Sequence, residues 1–174
     1  MRHLSEIKRL VSMALRICFD HTIQCGVVRL RAPLLVCLVW FAALYRDGTG
    51  FVLIGLLASV WHELGHILCY LALFCRLPLL TISVAGIGMR VEWESISLLR
   101  TAALAAAGPT ANLIAAVICG LFLAKRMTVT GIAFWSANVL IGCFNLLPVP
   151  PLDGFRLLCC MREFWVNKLH FRGK

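Results

Sequence analysis

Charged residues are scarce in this sequence. Asp, Glu, Lys and Arg make up 14% of its 174 residues, whereas hydrophobic residues make up 61%. A soluble globular domain carries about 25% charged and about 45–50% apolar residues. The composition therefore argues against an ordinary soluble domain. It is typical of a polytopic membrane protein, and the length allows one compact domain.

Acidic residues are the scarcer of the two charged classes. Eight Asp and Glu stand against 17 Lys and Arg, which gives a net charge of +9. The basic residues lie between and beside apolar runs, not on one separable face as a nucleic-acid interface requires. Cytoplasmic loops and anionic lipid headgroups account for that pattern. We therefore expect the lipid bilayer, and no nucleic acid, as a partner.

Cysteine pairs at metal-binding spacing are also lacking. The sequence has nine cysteines, but no two of them form a C-x-x-C pair. Neither a cysteine-based zinc site nor a secreted disulfide framework is indicated. Any metal site must therefore draw its ligands from other residue types.

Long apolar runs are what the sequence has instead. Residues 51–75, 101–124 and 131–150 each reach the length of about 20 residues that a helix needs to cross the hydrocarbon core. A fourth run, 32–45, has only 14 uncharged residues. By its length alone, this run is either a span or a re-entrant piece.

The distribution of Lys and Arg decides between these alternatives for residues 32–45. If that run spans the membrane, 14 basic residues lie on one side and three on the other; if it does not, the division is nine to eight. The positive-inside rule favours the uneven division. We therefore predict four transmembrane helices with both termini in the cytoplasm.

The flanking segments are predicted to lie at the membrane surface. Residues 1–31 form a basic amphipathic interfacial segment, and residues 157–174 form a basic cytoplasmic or interfacial tail, so the core domain covers residues 32–156. Residues 87–94, IGMRVEWE, alternate between apolar and polar side chains, which predicts a strand. The predicted fold class is an all-α polytopic membrane protein with about four transmembrane helices, interfacial helices and a short membrane-associated β segment.

Three ionisable residues interrupt the apolar run at 51–75. In the stretch WHELGHILCY, His62 and His66 are four residues apart, so on a helix they project from the same face and can bind one metal ion. Glu63 lies beside them, where it can activate a water molecule. Because bare ionisable groups are costly inside a membrane, this placement favours a zinc site over a chance pattern.

A hydrolytic zinc site needs a third protein ligand. Glu63 and Asp153 are the only carboxylates in or at the edge of the apolar segments. Asp153 belongs to NLLPVPPLDG at 145–154, where three prolines prevent a regular helix. Broken backbone at membrane depth is tolerated where it is buried or lines a polar cavity. Asp153 is therefore the candidate third ligand, and an ordinary surface turn is the alternative.

Two asparagines lie in or at the end of otherwise apolar runs. Asn112 follows Gly108 and Pro109 in AAGPTAN, where the helix is predicted either to kink or to begin afresh, and Asn145 opens the proline-rich stretch. Each amide either hydrogen-bonds a neighbouring helix or holds the substrate backbone or a developing oxyanion. The sequence leaves both alternatives open.

Taken together, the three stretches resemble the site-2 proteases, which are polytopic zinc metalloproteases that cut peptide bonds within the membrane. The resemblance rests on HELGH at 62–66, GPTAN at 108–112 and NLLPVPPLDG at 145–154, in that order on three spans. It covers roughly residues 50–156. The bacterial sporulation and stress-signalling proteases are closest in layout, so a bacterial cell membrane is the expected location. No CBS or PDZ domain accompanies the core, which is therefore expected to be minimal.

The resemblance implies a role for each matched residue. His62, His66 and Asp153 are expected to bind one Zn²⁺ per chain, and Glu63 to activate the water. Residues 79–93 correspond in position to a membrane-associated strand region of the family that is proposed to pair with extended substrate. The expected substrate is a membrane-spanning or membrane-associated protein, and the expected partner of such a minimal core is a regulatory membrane protein. A metal transporter or a non-catalytic scaffold with the same ligands is the alternative function.

Overall fold

The computed structural model describes residues 22–84, 86–91 and 96–172. In chain order, the elements are β1 (Thr22–Cys25), β2 (Val28–Arg31), α1 (Pro33–Tyr45), α2 (Phe51–Phe74), β3 (Leu79–Ser83), β4 (Gly86–Arg90), α3 (Leu98–Leu123), α4 (Val129–Asn145) and α5 (Asp153–Arg172). They form two compact units. The first consists of β1, β2, α1, β3 and β4, and the second of α2, α3, α4 and α5.

The structure is mostly helical with a small sheet, as the sequence analysis predicts. Two helices, α2 with 24 residues and α3 with 26, are long and apolar enough to cross a membrane. Large apolar side chains on both helices are exposed within the chain, which is expected where lipid covers them. Examples are Leu68, Val117, Leu121 and Phe122. Helices α1 and α4 are apolar but shorter, with 13 and 17 residues, so the four-span topology remains a prediction.

Local sequence signals account for the helix ends. Helix α1 begins at Pro33, whose ring fixes a helical φ and whose missing N–H would be unpaired in any first turn. At the start of α4, the Thr128 hydroxyl accepts a hydrogen bond of 3.1 Å from the backbone N–H of Gly131. Helix α4 ends at Asn145, just before the prolines at 148–151. The chain becomes helical again at Asp153, so α5 passes the predicted 156/157 domain boundary without a break.

The sheet contains more strands than the sequence analysis predicts. Its order is β1-β2-β3-β4, with β1–β2 and β3–β4 antiparallel and β2–β3 parallel. The strand predicted within residues 87–94 is confirmed for 87–90, where β4 pairs with β3; residues 92–95 lie outside the described part. Residues 22–31, the end of the segment predicted to be interfacial, form a hairpin of β1 and β2; the interfacial location remains a prediction. Gly26 makes its turn possible, because its φ of 58° is unfavourable for residues with a Cβ.

The strand register gives the sheet two chemically different faces. Eight residues that share one face are all apolar: Ile23, Cys25, Val28, Leu30, Leu80, Ile82, Ile87 and Met89. The opposite face carries Arg29, Arg31 and Arg90 among polar and small residues, with Leu79 as its one large apolar side chain within these strands. None of the eight apolar residues is buried, although a soluble protein normally covers such a surface. Two of the eight are exposed and six are half-buried, and an incompletely covered apolar face opposite arginines is compatible with the predicted membrane-associated β segment.

The charge distribution also yields a topology prediction. A reporter fused after Lys174 should be cytoplasmic, whereas reporters inserted near Gly48 and near Lys125 should be external, because 14 of the 17 basic residues would then face the cytoplasm. Paired activity reporters for the two compartments would measure this. Finding the Lys174 and Gly48 reporters on the same side would contradict the four-span arrangement, and α1 would then not span.

Candidate metal centre

Close packing between α2 and α3 brings the histidine pair to the interior of the second unit. A Cβ added at Gly65 would lie 2.7 Å from the carbonyl oxygen of Ala107 and 2.7 Å from the Cβ atom of Ala111, both on α3. Only a glycine at position 65 therefore permits the two helices to approach this closely. The Trp61 indole N–H donates to the carbonyl of Ala111 at 2.9 Å. His62 and His66 are consequently buried, with 6% and 7% of their surface exposed.

Asp153 completes a three-residue cluster with the histidines. It is the first residue of α5, and its Oδ2 lies 3.2 Å from His62 Nε2 and 3.1 Å from His66 Nε2. The two Nε2 atoms are 3.1 Å apart. Arg156, one turn later on α5, donates to the other carboxylate oxygen at 3.2 Å. Residues from two helices, separated by about half of the chain, therefore meet at one point.

The opposite nitrogen of each imidazole faces an oxygen acceptor. His62 Nδ1 lies 2.8 Å from Asn112 Oδ1, and His66 Nδ1 lies 2.8 Å from the carbonyl oxygen of Leu104. A carbonyl oxygen accepts and cannot donate, so each Nδ1 must carry the hydrogen. In the neutral rings, both Nε2 atoms then present lone pairs. This tautomer assignment follows from the hydrogen-bond partners.

The convergence of three acceptors fits a divalent metal ion. Two imidazole lone pairs and a carboxylate oxygen repel one another at about 3 Å unless a proton or a metal ion lies between them. Nitrogen and oxygen ligands at about 2.0–2.1 Å from a tetrahedral zinc are themselves about 3.3 Å apart, close to the 3.1–3.2 Å observed. Among the described residues, these three form the group of His, Cys, Asp and Glu side chains able to hold a metal ion.

A glycine on α3 keeps the space beside the three ligand atoms open. A Cβ at Gly108 would lie 2.6 Å from His62 Nε2 and closer still to His66 Nε2. Any other residue would therefore push into the volume where a shared ion must lie. Pro109 follows inside the helix, where it removes one backbone hydrogen bond. Helix α3 continues through both residues, so a helix does not begin afresh here, and a kink remains a prediction.

The carboxyl of Asp153 has the charge state that a metal ligand needs. Burial alone would raise the pKa of this carboxyl, but in the metal-free cluster hydrogen bonds donated by His62 and His66, from an Nε2 that carries a proton, outweigh that effect and hold the pKa well below its ordinary value. In the metal-free cluster Asp153 is therefore a carboxylate that faces imidazole N–H, and a bound metal ion would replace the proton between them. Ligands must be deprotonated to bind a metal, and this one already is.

Glu63 is placed differently from the three clustered residues. It follows His62 on α2 and is only partly buried. No hydrogen bond joins its carboxylate to another side chain in the part of the chain that the structure describes. The role of Glu63 as the base remains a prediction.

The structure places the two predicted asparagines in different surroundings. Asn112 is fully buried, and its amide donates to the carbonyl of Ala58 at 3.1 Å and to Asn138 Oδ1 at 3.0 Å. Both amide hydrogens are thus used between helices, which favours the first of the two alternatives for Asn112. The Asn145 amide donates to the carbonyl of Ile141 on its own helix. An oxyanion role for either residue remains a prediction.

Asn138 is a residue that the sequence analysis missed. It lies in the middle of α4, is fully buried and contacts Asn112. A polar amide inside the apolar run at 131–150 is the same signal that singled out Asn112 on the preceding span. Applied consistently, that criterion would have found it.

A comparison with solved structures identifies a protein of similar fold. The chain is similar to the Site-2 Protease from Methanocaldococcus jannaschii, with 18% sequence identity and a TM-score of 0.59 over 82% of this chain and 72% of that chain. No protein-family model and no curated protein matches the chain. At 18% identity the likeness shows the fold alone, and the chain has a site-2 protease fold.

Proposed function

We propose that this protein is a membrane-embedded zinc metallopeptidase that hydrolyses a peptide bond in or near a transmembrane segment of a membrane protein. The observation that carries the proposal is the convergence of His62 Nε2, His66 Nε2 and Asp153 Oδ2 within 3.2 Å, buried beside the carboxylate of Glu63. The site-2 protease fold supports the same reaction class.

Each residue of the centre has a separate role in the proposed hydrolysis. His62, His66 and Asp153 would hold one zinc ion, which when bound supplies a Lewis acid that polarises the scissile carbonyl and makes water nucleophilic. Glu63 accepts the proton of the attacking water and passes it to the leaving amine. Arg156 holds the second oxygen of Asp153, so that Oδ2 alone faces the histidines.

A metal transporter or a non-catalytic scaffold could use the same three ligands. A transporter is expected to carry ionisable groups along a path across the bilayer. All acidic, basic and histidine residues of α2 lie within 62–66, and α4 has none. These ionisable residues are grouped at one depth along α2, with Glu63 beside the ligands. This grouping favours hydrolysis over metal transport.

Removing a ligand should remove the metal. His66→Ala and Asp153→Ala should each reduce bound zinc from one ion per chain to a small fraction, because two remaining protein ligands rarely hold the ion. Metal analysis of the protein purified in detergent measures this directly. Cys69→Ala is the matched control: this thiol lies on α2 one turn beyond His66 and outside the cluster, so its loss should leave the zinc content unchanged. Full zinc content in Asp153→Ala would exclude Asp153 as a ligand.

A further inference from the structure

A chain of three side chains connects the candidate metal centre to α4. Asn138 Nδ2 donates to the carbonyl of Phe134 at 2.9 Å, and Asn138 Oδ1 accepts from Asn112 Nδ2 at 3.0 Å. Asn112 Oδ1 in turn faces His62 Nδ1 at 2.8 Å. Both asparagines have no exposed surface, so water does not compete for these contacts. The chain crosses α4, α3 and α2.

Backbone carbonyls fix the direction of every hydrogen bond in this chain. The carbonyl of Phe134 accepts only, so the Asn138 amide must turn its NH₂ group towards it and its oxygen towards α3. The NH₂ group of Asn112 then lies between two oxygens, Asn138 Oδ1 and the carbonyl of Ala58. Rotating the Asn112 amide by half a turn would leave oxygen against oxygen at both positions, which is costly in a buried site. Asn112 therefore presents its oxygen to His62.

The orientation of Asn112 decides which nitrogen of His62 can bind a metal. An oxygen acceptor at Nδ1 keeps the hydrogen there and leaves the Nε2 lone pair for the ion. Without Asn138, the Asn112 NH₂ group loses one of its two acceptors. The free-energy cost of the flipped Asn112 amide, with its NH₂ group towards His62, then falls. An NH₂ group facing Nδ1 would favour the tautomer with hydrogen on Nε2, which cannot bind.

We propose that Asn138 is a positioning residue that acts through Asn112 to hold His62 in the metal-binding tautomer. This inference rests on the metal centre of the proposed function and assigns a task to a residue that touches neither metal nor substrate. It gives α4, which contributes no ligand, a direct influence on the affinity of the centre.

The test compares two asparagines of the same helix. Asn138 and Asn145 lie seven residues apart on α4, and each donates its Nδ2 to the carbonyl four residues earlier. Only Asn138 reaches Asn112. Asn138→Leu, which keeps the approximate volume and removes the acceptor, should weaken zinc binding by about 10–100-fold, the usual effect of losing a partner behind a ligand. Asn145→Leu should change the zinc dissociation constant by less than about threefold.

Zinc dissociation constants of the full-length protein in detergent, measured by chelator competition, supply the readout. Asn138→Asp retains an acceptor for Asn112 and should therefore bind zinc more tightly than Asn138→Leu. A purely structural role predicts the opposite ranking, because a buried carboxylate destabilises the folded state more than a buried leucine does. If Asn138→Leu does not fold, Asn138→Ala carries the same expectation. Nitrogen NMR of His62 in the metal-free protein should show hydrogen on Nδ1 in the wild type and a shift towards Nε2 in the variants.

The outcomes separate this inference from the proposed function. Wild-type zinc affinity in Asn138→Leu, or an equal loss in Asn145→Leu, overturns the role of Asn138 while the metal centre stands. A wild-type protein that binds no zinc overturns the metal centre itself. A wild-type protein that binds zinc but cleaves nothing contradicts the peptidase and leaves the positioning role intact.

Discussion

Replacing Glu63 by glutamine should leave zinc in place and abolish cleavage. Glutamine has nearly the same shape as glutamate but cannot accept a proton, so the three ligands are undisturbed while the base is lost. General-base catalysis contributes about 10²–10⁴-fold to the rate, and turnover should fall by at least that factor. Zinc content and cleavage should be measured on the same preparation, after co-expression with candidate single-span membrane proteins.

Glu163→Gln provides the control for the lost charge. Glu163 lies on α5, is exposed and stands ten residues beyond Asp153, so its substitution removes the same charge without touching the metal centre. Cleavage by this variant should equal that of the wild type. If Glu63→Gln cleaves equally well, the protease mechanism is wrong and the transporter or scaffold alternative takes its place.

Adding one methyl group at Gly108 should have an effect on metal binding as large as the loss of a ligand. In Gly108→Ala the new Cβ would lie 2.6 Å from His62 Nε2 and closer to His66 Nε2. Both distances are shorter than 3.0 Å, and Cβ atoms in proteins essentially never approach another heavy atom that closely. At least one imidazole must move, and a displacement of this size breaks a coordination bond of about 2 Å. Zinc affinity should fall by more than about 100-fold, with cleavage falling in parallel.

Gly55→Ala separates this effect from a general intolerance of alanine. Gly55 is a helical glycine on α2, and a Cβ built there meets nothing within 4 Å. Alanine is favoured over glycine in a helix by about 1 kcal/mol, so this variant should be at least as stable as the wild type and should bind zinc normally. Wild-type affinity in Gly108→Ala would show that the ligand atoms do not converge against α3.

The centre was predictable because its signals are local or rare. The i, i+4 spacing of His62 and His66 fixes their common face in any helix. Asp153 stood out because the apolar segments contain so few carboxylates. The contact between Asn112 and Asn138 could not be predicted in the same way, because it depends on which helices pack against each other and on their relative shift along the helix axes. The two residues are 26 positions apart, and a contact at that separation produces no periodic pattern in the sequence.

The fold was predictable to the same degree. Apolar runs locate α2 and α3, since length and composition suffice for a helix that lipid surrounds. The hairpin at 22–31 escaped prediction because its two strands have four residues each, too few for alternation to be distinguished from the flanking amphipathic pattern. A strand of this length is stabilised mainly by the strands beside it. Strand β2 pairs in parallel with β3, which is about 50 residues later in the sequence, so the pairing could not be read from local sequence.

The sheet also constrains how this chain can change in length. Because strand side chains alternate with a period of two, inserting one residue before Thr81 in β3 would exchange the faces of the positions that follow within this strand. Ile82 would then lie on the face with the arginines, and Thr81 would point into the apolar surface. Inserting two residues would keep each side chain on its own face. Within the strands, length changes in related sequences should therefore come in even numbers, while odd ones should be confined to the turns, such as the one at Gly26.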